Sequence, residues 1–192
     1  MYDEYDTPDY YSLRQTDETY KAFVDAIIPR TPELAVEFGR IQYYGALDLD
    51  TDEYMIMSLN NIYFPIAEAA AELLNMAAEQ FTLGERNSFA ELLPLERLQV
   101  LNLLVEPEVR DMDFPEVFRD DPDSRLNVMS IMNRFAMMGY YSEWSGYGST
   151  RLEPPDQRVL EYFPLSWEQV GYPGPSPGYR ALRADSFANG SA

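Results

Sequence analysis

The chain carries neither cysteine nor histidine. That removes thiol nucleophiles, disulfides, zinc–thiolate and iron–sulfur sites, imidazole bases and the usual haem ligands. Carboxylates are what remains for chemistry. Asp25 and the trio Glu68, Glu72 and Glu79 are the candidates for a carboxylate-dependent hydrolase or isomerase, because carboxylates at helical spacing share a face. The same spacing describes a solvated helical stripe, and that plainer account is preferred. The run Asp48-Leu49-Asp50-Thr51-Asp52-Glu53 lacks the loop length, central glycine and terminal glutamate of an EF-hand, so it reads as a turn or helix start. Asp111, Asp113, Glu116, Asp120, Asp121 and Asp123 are interleaved with Arg110, Arg119 and Arg125, a pattern of local ion pairing in a connector. The sequence therefore points to no catalytic, cofactor or metal residue of its own.

Charge narrows the partners. Fourteen Lys and Arg against 33 Asp and Glu give a formal net charge of −19 over 192 residues. Such a surface repels nucleic-acid backbones and anionic lipid. It serves solubility, or it complements a basic patch on a partner. The longest apolar stretch, Ile62 to Phe81, is interrupted by Glu68, Glu72 and Glu79, so it predicts a buried helix with no membrane insertion.

The hydrophobic pattern predicts helices to carry these residues. After a polar, Tyr-rich arm over 1–15, Thr16 is a candidate cap for a helix with Tyr20, Phe23, Val24, Ile27 and Ile28 on one face. Pro29 stops it, and Thr31-Pro32 restarts one whose stripe runs through Leu34, Ala35, Phe38, Ile41 and Tyr44. Helix resumes at Tyr54. The central core helix carries Ile66, Ala67, Ala70, Leu73, Leu74 and Ala77. Ser88-Phe89-Ala90-Glu91 matches a capping box, and Pro94 starts a helix with Leu95, Leu98, Leu101, Leu104 and Val105 buried. Ser124 is the candidate cap of the last long helix, where Met129, Met132, Met137 and Met138 serve as adaptable filler or an adaptable contact surface. These elements give an all-α fold, a compact bundle of about five to six helices over 16–144.

Beyond Trp144 the composition shifts to glycine, proline and aromatics. The segment 145–192 is expected to be an extended, irregular C-terminal tail. Tyr147, Leu160, Tyr162, Phe163, Trp167, Val170, Tyr172 and Tyr179 are many anchors for a linker. They fit either a grip on a partner, where Trp and Tyr supply most of the energy, or a fold-back onto the chain's own helices. The two are compatible.

Three stretches resemble the gluconate 2-dehydrogenase small-subunit (subunit 3) family. Ala22-Phe23-Val24-Asp25-Ala26-Ile27-Ile28-Pro29-Arg30-Thr31-Pro32 is similar to its first helix and the "IIP-x-TP" that ends it. Phe89 through Leu92, with Leu95-Glu96-Arg97 and Leu101, resembles its "F-x-x-L…x-E/Q-R…L" helix. Gly139-Tyr140-Tyr141-Ser142, Gly146-Tyr147-Gly148 and Trp167-Glu168-Gln169-Val170-Gly171-Tyr172-Pro173-Gly174-Pro175 resemble its "GYY…YGG" and "W-x-x-IGYPGP" close. The resemblance implies a non-catalytic accessory subunit of a large FAD-dependent dehydrogenase of the glucose–methanol–choline type, with FAD in the partner and a c-type cytochrome in many such assemblies. It implies partner contact at Tyr140, Tyr141, Trp144, Tyr147, Trp167, Gly171, Tyr172, Pro173 and Pro175. Family members commonly carry a twin-arginine export signal, whereas Asp3, Glu4, Asp6 and Asp9 lie where a basic leader would begin. The expectation is a cytoplasmic chain as written, or a periplasmic one if a signal was removed or export occurs with a partner. Tyr147-Gly148-Ser149-Thr150 also departs from the family's Gly-Gly-Asn after the tyrosine. A free-standing scaffold or regulatory domain of the same fold is the alternative reading.

Overall fold

The computed structural model describes residues 10–61, 65–106, 114–119 and 122–174, with side-chain detail from residue 13 onward and none at residue 122. The chain is all-α, and no strand occurs among the described residues. Among the described residues the five longer helices are α1 (Tyr10–Ile27), α3 (Thr51–Asn60), α4 (Ala67–Phe81), α5 (Pro94–Val105) and α7 (Pro122–Tyr141). Three short ones intervene or follow: α2 (Ala35–Phe38), α6 (Glu116–Arg119) and α8 (Leu165–Gln169). Among the described residues, 3-10 turns lie between α1 and α2, α2 and α3, α4 and α5, and α7 and α8. No described helix is long and apolar enough to cross a membrane.

α1 packs against α3, α4 and α5, and α7 closes the far side against α3 and α5. Tyr20, Phe23 and Val24 of α1 are buried against a core that includes Leu73, Leu74 and Ala77 of α4. Burying each large apolar side chain stabilises the fold by about 1.5–3 kcal/mol. Two polar anchors fix the register. The Asn75 side-chain oxygen accepts from the Thr19 hydroxyl and the Phe89 backbone N–H, both at 2.9 Å. The Tyr20 hydroxyl donates to the Ala67 carbonyl at 2.9 Å. Each satisfies a group that would be costly to bury unpaired.

Several local expectations are corrected. Thr16 lies inside α1, whose described part runs from Tyr10, so it caps nothing. The described part of α7 starts at Pro122, which makes Ser124 an internal residue. Thr31 and Ser88 precede their turns without a capping hydrogen bond from their side chains. The stripe read through Leu34, Phe38, Ile41 and Tyr44 is not one helix. Gly39 adopts φ +89°, a conformation that an L side chain resists, and it splits the segment into α2 and a 3-10 turn over Arg40–Tyr43. Of that stripe only Ile41 is buried. On α5 the core takes Val100, Leu101 and Leu104, while Leu95, Leu98 and Val105 are exposed.

Candidate partner-docking surface

The carboxylates are the first place to look for chemistry. Glu68, Glu72 and Glu79 project from α4 beside a pocket of about 410 Å³, together with Gln15, Thr16 and Asn75. All three are exposed. Asp25 is held by Arg97 of α5 at 3.0 Å. Asp48 pairs with Arg30 and accepts the Gly45 N–H at 2.8 Å, which holds its carboxyl below the ordinary value against the opposing pull of burial. Asp50 and Glu53 both receive Arg151. Among the described residues no group of acidic side chains is arranged to hold a metal ion.

The aromatic C-terminal segment is organised differently. Where α7 ends, Trp144 turns inward. Its indole N–H donates to the Asp50 carbonyl at 2.7 Å, and its ring meets Tyr54 edge-on at 5.4 Å. The Arg158 guanidinium sits over the rings of Trp144 and Tyr147, 5.7 and 5.9 Å from their centroids, an arrangement favoured by the negative ring face. Arg151 then ties the segment to α3, reaching Glu53 at 2.6 Å and Asp50 at 3.4 Å.

The intervening loop closes on itself. The Gly146 carbonyl accepts the N–H groups of Glu161 and Tyr162 at 2.8 and 3.0 Å. A Cβ at position 146 would stand 2.6 Å from the Tyr162 carbonyl oxygen, closer than atoms tolerate, so glycine permits this closure. The Thr150 hydroxyl donates to the Val159 carbonyl and accepts its N–H. The Ser149 hydroxyl and N–H donate to Glu161 and hold its carboxyl below the ordinary value.

α8 brings in the second tryptophan. Trp167 is buried, and its indole N–H donates to the Tyr141 carbonyl at the end of α7 (3.0 Å). Phe163 and Tyr172 pack edge-on against it at 5.7 and 4.9 Å. Glu168 forms an ion pair with Arg40, which joins α8 to the 3-10 turn after Gly39. Tyr140 is buried beneath the same region, with its hydroxyl donating to the Tyr44 carbonyl at 3.3 Å. Burial pushes its phenol up to about 12.

The expected contact residues thus divide. Tyr140, Trp144 and Trp167 spend their side chains inside the chain, and Tyr147 is half-buried with its hydroxyl donating to Glu143. Tyr141, Gly171, Tyr172 and Pro173 are on the surface. Pro175 and Tyr179 lie outside the described residues. To the expected contact residues the structure adds Tyr43, with Phe38 and Tyr44, which the sequence pattern placed on an apolar helical stripe. Phe38, Tyr43, Tyr44, Tyr141, Phe163 and Tyr172 are each 40% to 55% exposed, and the hydrogen bonds and ion pair above link the segments that bear them. A glycine directly after Phe38 was the available signal that the stripe broke there.

No family model, no curated protein and no solved structure matches the chain.

Proposed function

We propose that the chain is a non-catalytic small subunit that binds and stabilises a large FAD-dependent dehydrogenase of the glucose–methanol–choline type. The observation that supports it most is the division of labour in the C-terminal segment. Trp144 and Trp167 anchor the segment inward, while Tyr141, Phe163 and Tyr172 stay open to solvent around the second anchor. Rigidly held, exposed aromatics supply contact area at low ordering cost, which is what a docking surface requires. The resemblance of the Trp167 to Pro175 close to the subunit 3 family supplies the identity of the partner. In this reading FAD belongs to that partner, and a c-type cytochrome joins many assemblies of this kind.

The test is to tag the chain in its native host, purify it gently and read flavin absorbance together with subunit stoichiometry. A stoichiometric complex with one flavin-containing chain is expected. Purification of the tagged chain free of any flavoprotein overturns the proposal.

A further inference from the structure

We infer that the docking face reaches beyond the C-terminal segment onto residues 38–44, and that it receives an arginine-bearing patch of the partner. This rests on the subunit reading for the partner's identity, but its chemistry is carried by the surface itself. Phe38, Tyr43 and Tyr44 come from the segment around Gly39, Tyr141 from the end of α7, and Phe163 and Tyr172 from either side of α8. Three contacts pin these segments together: Tyr140 to the Tyr44 carbonyl, Trp167 to the Tyr141 carbonyl, and Glu168 to Arg40. Between them runs a groove of about 240 Å³ lined by Phe38, Gly39, Arg40, Ile41, Leu165 and Glu168 with Gln169.

Charge selects the occupant. Arg30 and Arg40 are each neutralised by a carboxylate of this chain, Asp48 and Glu168. Glu33 and Glu37, exposed just before Phe38, have no ion-pair partner among the described residues. The segment that brings Phe38 to the aromatic face therefore carries uncompensated negative charge, on a chain of net charge −19. A second copy would bring Glu33 and Glu37 against like charges, and lipid or nucleic-acid phosphate would be repelled. Guanidinium groups satisfy both features at once. They stack on aromatic faces, pair bidentately with carboxylates and are weakly hydrated, where an ammonium offers only a point charge.

The test needs no partner to begin. The full chain is titrated with hexa-arginine and with hexalysine while amide shifts are followed by NMR. Hexa-arginine should perturb Phe38, Tyr43, Tyr44, Tyr141, Phe163 and Tyr172 first. It should bind roughly 2–5-fold more tightly than hexalysine, the equivalent of one exposed cation–π contact. The double variant Phe38→Ser/Tyr172→Ser should erase the arginine preference, and Glu33→Gln/Glu37→Gln should weaken both peptides. All four positions are exposed; because Tyr172 also packs on Trp167, unchanged amide shifts over 165–169 in the Phe38→Ser/Tyr172→Ser variant check that α8 stays in place. Equal affinity for the two peptides, or shifts confined to other acidic surfaces, overturns the inference. Co-purification of the flavoprotein with undiminished occupancy by both double variants also overturns it, and leaves the subunit reading standing. Failure of any flavoprotein to co-purify with the wild-type chain removes the subunit reading, while the peptide titration still decides the chemistry of the face.

Discussion

Asp52 occupies the second position of α3 and is buried, one of the few charged side chains in the interior. A carboxylate there gains from the helix N-terminus and from Lys21 nearby, and loses from desolvation and from Asp17 and Glu53. Desolvation wins, so its carboxyl titrates above the ordinary value. The folded state thus holds this proton more tightly than the unfolded chain does. The resulting stabilisation is fully present below the ordinary carboxylate range and is lost as pH rises through the raised folded value. Asp52→Asn should therefore raise the urea midpoint at neutral pH, and that advantage should shrink on acidification until the two proteins converge. A variant less stable than wild type at neutral pH would show that the helix N-terminus and Lys21 outweigh burial.

Elements show where local pattern and tertiary packing part company. α4 was legible because its small and large apolar residues recur at helical spacing and both neighbours bury the same face. α5 was read correctly at Leu101 and Leu104 but not at Leu95, Leu98 and Val105, which are exposed. Leu95, Leu98, Leu101 and Leu104 form a continuous stripe, but Arg97 is drawn in toward Asp25 and the Ala90 carbonyl, and the helix settles with Val100 inward. The segment around Gly39 fails the periodic reading because a single positive φ resets the phase of everything after it. The inward placement of Trp144 and Trp167 was open in the sequence, since an aromatic on an irregular backbone carries no period to reveal which way it points. α8 gives this a consequence. Five residues cannot hold a helix alone, so its order depends on Trp167 and the Glu168–Arg40 pair. Trp167→Ala should cost about 3–5 kcal/mol of local docking energy. Hydrogen exchange is the right readout: amides over 165–172 should lose protection while those of α1 and α4 keep theirs. Uniform loss across the chain would mean that α8 belongs to the cooperative core.

At the scale of the whole molecule, the helical core and the C-terminal segment rest on separate supports. The Thr19–Asn75–Phe89 node and the Tyr20–Ala67 bond involve nothing beyond residue 89. The segment after Trp144 meets the core through Arg151 on α3, Trp167 on α7, Glu168 on Arg40 and Leu165 packed against the buried cluster. Ending the chain at Trp144 should therefore leave a cooperatively melting helical protein. Its Tm should fall by roughly 2–4 °C for each kcal/mol of lost contact, because Arg158 no longer covers Trp144. The same truncation removes Phe163 and Tyr172 and uncovers the Arg40 guanidinium, so the aromatic face loses its rings on one side and gains an unpaired positive charge. Binding to the proposed flavoprotein partner should then drop sharply, by more than the loss of either ring alone. Circular dichroism and co-purification on one truncated protein separate the outcomes. A helical protein that no longer binds supports the segment as the grip; one that binds at full strength moves the interface to another face; an unfolded one places the segment among the supports of the fold.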